Sequence, residues 1–183
     1  MRMQMPDVFE TFKARAAAVS AEVYRLPSAD AAWEFLGGFL AAEGVSHQPR
    51  AHAVWAGGPA MEPRALPGLR LDVTRETAES AKVGISQVEC GIAATGTLMT
   101  DATAVDRRLA STLPPIHVAI LPAAAIHPDM AAAFATIDPR RSAYLSLITG
   151  PSRTADIERV LTIGVHGPAR LVILCVDGIG GIQ

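Results

Sequence analysis

Apolar positions along the chain fall into two kinds of pattern, helical spacing near the start and short branched runs after it. Val8, Phe12, Ala16 and Val19 recur at nearly helical intervals, and Asp7 with Glu10 has the form of a capping box. This predicts a helix over residues 7–26, broken by Pro27. Ser28 can cap a second helix over 29–43, which Gly44 would end. The run 51–56 ends in Gly57 and Gly58 and reads as a strand, and the three prolines in 59–68 predict an irregular connection. Further strands are expected at 82–87, 97–100, 117–121, 144–149 and 171–176. Helices are expected at 125–135 and 153–161. Strands that alternate with helices imply βαβ units. The expected fold is therefore α/β, an open and mostly parallel sheet of Rossmann type flanked by helices, with a helical N-terminal part at about 7–44. No internal repeat or low-complexity segment divides the chain, so residues 1–183 read as one domain.

Composition agrees with that architecture. Half of the residues are hydrophobic and only 5% aromatic, so the core must be built from Ala, Val, Ile and Leu. The formal charge of -2 carries no basic footprint, which argues against nucleic acid as a partner. The pairs Arg107, Arg108 and Arg140, Arg141 read as solvated surface. No apolar run approaches the roughly 20 residues of a membrane span, and residues 1–10 do not look like a secretory leader, so a cytoplasmic protein is expected. Cys90 and Cys175 stand far apart among apolar or small neighbours and read as buried, reduced thiols. Iron–sulfur clusters usually need four thiolates, so none is expected in this chain. His47, His52, His117 and His127 have no ligand spacing for a metal.

Three segments carry candidate chemistry. Gly150, Pro151, Ser152, Arg153, Thr154, Ala155, Asp156, Ile157 and Glu158 come directly after one strand and are expected to open a helix. The helix start would offer N–H groups to an anion, and Arg153 would add a planar clamp for carboxylate or phosphate. Plain capping, with Asp156 and Glu158 complementing the dipole, accounts for the same residues. Thr95, Gly96 and Thr97 place two hydroxyls around a glycine, either to line a small ligand or to make a tight turn between buried segments. His166 lies between Gly164 and Gly167, where its ring would move a proton or simply be satisfied by backbone groups. On the βαβ reading, a helix after Gly150 carries the chain to the opposite edge of the sheet. His166 would then meet Ser152 and Arg153 only through an antiparallel last strand, a long loop or a second chain.

The run from Gly150 to Glu158, then Gly164, Val165, His166, Gly167 and Pro168 leading into 171–177, resembles the lactate utilisation protein C family, the LUD domain. Val83, Gly84 and Ile85, with 93–97 downstream, resemble its central segment. The match covers about residues 80–178. It implies a fold like that of the sugar-phosphate isomerase and CoA-transferase group. It also implies a part in oxidising L-lactate to pyruvate beside partner subunits that carry iron–sulfur clusters. From the three segments read above, the candidate ligand-binding residues are Thr95, Gly96, Thr97, Gly150, Ser152, Arg153, Thr154 and Asp156, with His166 as the catalytic candidate. Family sequences usually carry an acid before the Thr-Gly-Thr run, where this chain has Ala94; Glu89 stands five positions earlier. A stand-alone enzyme on a sugar phosphate or acyl-CoA, and a scaffold or regulatory binder, are the competing readings. A homo-oligomer is compatible with all of them.

Overall fold

The computed structural model describes residues 7–155, 161–163 and 167–180. In chain order its elements are α1 (Val8–Ala18), β1 (Ala21–Leu26), α2 (Ala29–Ala42), β2 (Ala53–Ala56), β3 (Leu69–Arg70), α3 (Arg75–Glu79), β4 (Val83–Gln87), β5 (Cys90–Ile92), β6 (Thr97–Asp101), α4 (Val105–Thr112), β7 (Ile116–Pro122), β8 (Ile126–His127), α5 (Met130–Thr136), β9 (Leu145–Ile148), β10 (Arg153–Ala155), β11 (Leu161–Ile163) and β12 (Arg170–Val176).

Six strands form the main sheet in the order β1-β12-β7-β4-β2-β3, and every neighbouring pair is parallel. The expected α/β class with a mostly parallel sheet is therefore what the chain adopts. β7 is buried along its whole length and β12 from Leu171 onward. This is why both read as continuous apolar runs rather than alternating ones. On one face α2 lays Trp33, Leu36 and Leu40 against Val83, Ile85, Val118, Ile120, Val172 and Leu174. On the other, α1 lays Phe9, Phe12 and Ala16 against Ala119, Leu121, Ile173 and Cys175. Each fully buried Leu or Ile in these layers contributes about 1.5–3 kcal/mol.

The same face also carries a smaller four-stranded sheet in the order β8-β5-β6-β9, whose Leu98 joins the α1 layer. β6 runs antiparallel to both β5 and β9. A third, two-stranded ladder pairs β10 with β11 antiparallel.

Three expectations are corrected. The helix at 7–26 ends at Ala18, and 21–26 is an edge strand beside β12, so the N-terminal part is not wholly helical. The chain turns at Ser20 with φ 70, a left-handed conformation that a serine does not advertise. Polar Glu22 and Arg25 suit an edge: Arg170 bridges Glu22 and Glu43, and Arg25 pairs with Asp177. The helix at 125–135 shrinks to α5, whose N-cap Asp129 accepts from Ala132 N, and β8 precedes it. The helix at 153–161 fails where it can be seen, because its first residues and Leu161 lie in the β10–β11 ladder.

α4 is an element that periodicity does not reveal, and it rests directly on β4. A Cβ on Gly84 would lie 1.9 Å from the Ala110 carbonyl oxygen, so only glycine lets the helix sit this close. Gly84→Ala is expected to destabilise by about 3 kcal/mol, the top of the usual range for overpacking, because the colliding atom is backbone. Urea titration should show a lower midpoint at an unchanged slope.

Cys90 and Cys175 are free and buried. Burial pushes their thiols up to about 11 and about 12. At pH 8 neither should react with iodoacetamide on the timescale that labels the urea-unfolded chain.

Candidate functional site

The segments after β9 and before β12 meet. Ser152 N donates to the Pro168 carbonyl at 2.8 Å, and a Cβ on Gly167 would lie 3.0 Å from Ser152 Cβ. The expected separation to opposite edges is overturned. Among the described residues between Ser152 and β12 there are two short strands and no helix. The antiparallel pairing of Arg153 with Ile163 returns it to the same end of the sheet instead.

Together these segments wall a cleft of about 280 Å³ at the amino end of β7 and β12. Gly150, Ser152, Gly167 and Pro168 form one side, Ser111 and Thr112 of α4 another, and His117 and Leu171 the floor. Among the described residues that line it there is no charged side chain. Ser111 and Thr112 both donate to the Arg108 carbonyl, so their lone pairs face outward as acceptors. The lining thus offers acceptors from α4 and an alcohol on Ser152, a set that suits a small ligand with both a hydroxyl and an oxyanion.

The Thr95, Gly96, Thr97 segment adjoins this cleft. Thr97 Oγ1 lies 2.7 Å from Thr95 Oγ1 and 2.8 Å from Thr149 Oγ1, and Thr149 lines the cleft. Gly96 and Gly150 have positive φ, and each presses on α1: a Cβ would come within 2.3 Å of Ala16 N and 2.4 Å of Val19 O respectively. Arg153 is placed differently from the expectation. It opens β10, and its exposed guanidinium donates to Ser20 Oγ at 2.9 Å. Thr154 belongs to β10. Asp156 and His166 lie outside the described residues.

Sequence reasoning missed two polar pairs. The first is Ser86 with His117, whose Oγ and Nε2 are 2.9 Å apart with both residues buried. Their positions on neighbouring strands put them on one face: Gly84 pairs with His117, and Ser86 stands two residues on. A lone histidine inside the run Ile116–Pro122 was the available signal. The second is Glu89 with Arg107, 2.6 Å apart, with side chains only 7% and 14% exposed. Arg107 is therefore not solvated surface. Arg108 donates to the Ala102 carbonyl and stacks over Tyr144.

Burial pushes the His117 imidazole down to about 4 from its ordinary 6.5. Between those values the unfolded chain takes up a proton that the folded chain refuses. Stability is therefore full above pH 6.5 and falls toward pH 4 by up to about 3 kcal/mol. Denaturation across that window should show a steeper pH dependence for the natural chain than for His117→Gln, by about one proton. Parallel curves would remove His117 as the cause.

The model of the LUD domain family matches residues 9–176. A lactate utilization protein C of Bacillus licheniformis is 33% identical over 112 residues, covering 58% of this chain and 47% of that protein. The Bacillus subtilis protein of the same name is 36% identical over 106 residues, covering 55% and 44%. An uncharacterized protein of Neisseria meningitidis is 36% identical over 96 residues, covering 51% and 41%. The chain spans less than half the length of these curated relatives. A crystal structure of a DUF162 family protein from Deinococcus radiodurans superposes with a TM-score of 0.63 over 93% of this chain and 96% of that one. At 20% identity that likeness speaks for the fold alone. With a family model matched across nearly all the described elements, the chain belongs to the LUD domain family.

Proposed function

We propose that this chain serves in L-lactate utilisation, as an accessory or catalytic subunit that holds a small carboxylate in the Ser152 cleft. Its partners on this reading are subunits that carry iron–sulfur clusters, which take the two electrons released when lactate becomes pyruvate. The observation that carries the reading is the convergence of Gly150–Ser152 with Gly167 and Pro168 on one cleft, since these are the segments that resemble the family. The relatives named lactate utilization protein C support it.

The lining favours this reading over a sugar phosphate. Hydroxyls and backbone without a charged side chain suit a singly charged carboxylate better than a phosphate dianion, whose desolvation needs cations close by. A ligand with a hydroxyl next to its carboxylate can use the α4 acceptors and the Ser152 alcohol together.

Deletion in the host should abolish growth on L-lactate and spare growth on glucose, and iron–sulfur proteins should co-purify with the tagged chain. In the reconstituted system, Ser152→Ala should lower L-lactate-dependent dye reduction by about ten- to a hundredfold, the loss expected for one hydrogen bond to a charged group. Unimpaired growth of the deletion strain on L-lactate would end the proposal.

A further inference from the structure

We propose that the carboxyl end of β4 holds a second binding site, for a small organic carboxylate, formed by Gln87 and Arg107 beneath the Gly57–Gly58 turn. It is distinct from the Ser152 cleft and stands whether or not the chain serves lactate utilisation.

Gln87 is 1% exposed, and its Oε1 accepts from Ala60 N at 3.2 Å. That bond fixes which end of the amide is oxygen. Its Nε2 is then a buried donor without a partner. Leaving such a group unmatched is unfavourable, and more than nine in ten buried polar groups are satisfied. An acceptor oxygen brought in from outside answers the deficit.

Arg107 supplies the second donor. Its Nη1 is committed to Glu89 Oε1 at 2.6 Å and to the Asp101 carbonyl at 3.3 Å. Its Nη2 lies toward Gly58. A Cβ on Gly58 would stand 3.0 Å from Arg107 Nη2 and 2.3 Å from Gln87 Oε1, so the guanidinium and the oxygen end of the amide both lie against this glycine. Gly57 is as tightly placed, 2.2 Å from the Trp55 ring by the same measure. Two residues without side chains let this turn lie close against the Trp55 ring, the Gln87 amide and the Arg107 guanidinium.

Place and charge fix the ligand class. β2 and β4 are neighbours, and both end at this turn, on the side of an open α/β sheet where ligands bind. Two N–H donors near one turn, Gln87 Nε2 and Arg107 Nη2, offer one bond to each oxygen of a carboxylate. Glu89 is pinned by Arg107 and by Asp101 N at 2.6 Å, and its charge offsets that of the guanidinium. A phosphate dianion would face Glu89 without a second cation to balance it, whereas a single negative charge is accommodated.

The test is NMR of the intact chain with nitrogen-labelled side-chain amides. The Gln87 signal is identified by its loss in Gln87→Glu, which keeps the acceptor for Ala60 N. Acetate, pyruvate or L-lactate should move the Gln87 signal saturably. Arg107→Lys, which keeps a cation for Glu89, should weaken that titration about tenfold or more. Ser152→Ala should leave it unchanged, so failure of the lactate reading and failure of this one are separable. A Gln87 signal that no carboxylate moves, with magnetisation transfer from water alone, would show a hydration site and overturn the proposal. Saturation by inorganic phosphate and not by carboxylates would overturn the ligand class.

Discussion

β12 is the strand on which the rest of the structure depends. From Leu171 to Val176 every side chain is at most 1% exposed, so both of its faces must be covered for the molecule to exist. It sits between β1 and β7 and so joins the two ends of the chain, with Ala21 beside Leu171. Closing so long a loop adds little entropy cost beyond a shorter one, because that cost grows only logarithmically. The demand is geometric: a parallel strand inserted between two others has to arrive in register with both. The chain just before it is held accordingly. Ala169 N and Arg170 N both donate to the Pro115 carbonyl, and Ser152 N is tied to Pro168. The wall of the cleft is thus an extension of the central strand, and a site on such a support keeps its geometry.

The glycines of the motifs have a steric explanation. Gly96 lies in the turn before β6 and Gly150 just after β9, yet both bring their backbones against the end of α1. For Gly96 the tight-turn account therefore holds. Gly150 has the same role one strand away, where β9 meets the segment that holds Ser152. Between these contacts Thr97 and Thr149 are aligned, their hydroxyls 2.8 Å apart. The two glycines dock the small sheet on α1 and thereby bring Thr149 to the cleft.

Much of the main sheet was legible because buried parallel strands are written as branched apolar runs. β2, β4, β7 and β12 all appear within two residues of where the pattern places them. β1 was not, because Val19, Val23 and Leu26 also fall at helical intervals and the break at Ser20 carries no glycine. Of the small sheet, β6 and β9 were legible, whereas β5 and β8, of three residues or fewer, are too short to show alternation. The segment after Gly150 has capping residues that serve a helix, yet Arg153–Ala155 takes part in a ladder. Local signals there specify a turn, and tertiary pairing selects a strand over a helix beyond it. For the candidate site, residue types were readable but their meeting was not, since it depends on the return of the chain through that ladder.

The position occupied by Ala94 bears on what the cleft can do. Ala94 is exposed at the turn between β5 and β6, next to Thr95, whose hydroxyl connects through Thr97 to Thr149. An acid there would stand at the outer end of that hydroxyl chain. Glu89 does not replace it, because its carboxylate is pinned between Arg107 and Asp101 N on a different element. Among the described lining residues His117 is the only ionisable group. It is already neutral at physiological pH, with a pKa of about 4, so it can accept a proton but holds it weakly. An alcohol proton would be far from matched to such a base. Within its described residues the cleft thus presents hydroxyls, backbone groups and one weakly basic imidazole, a set without a base matched to an alcohol proton.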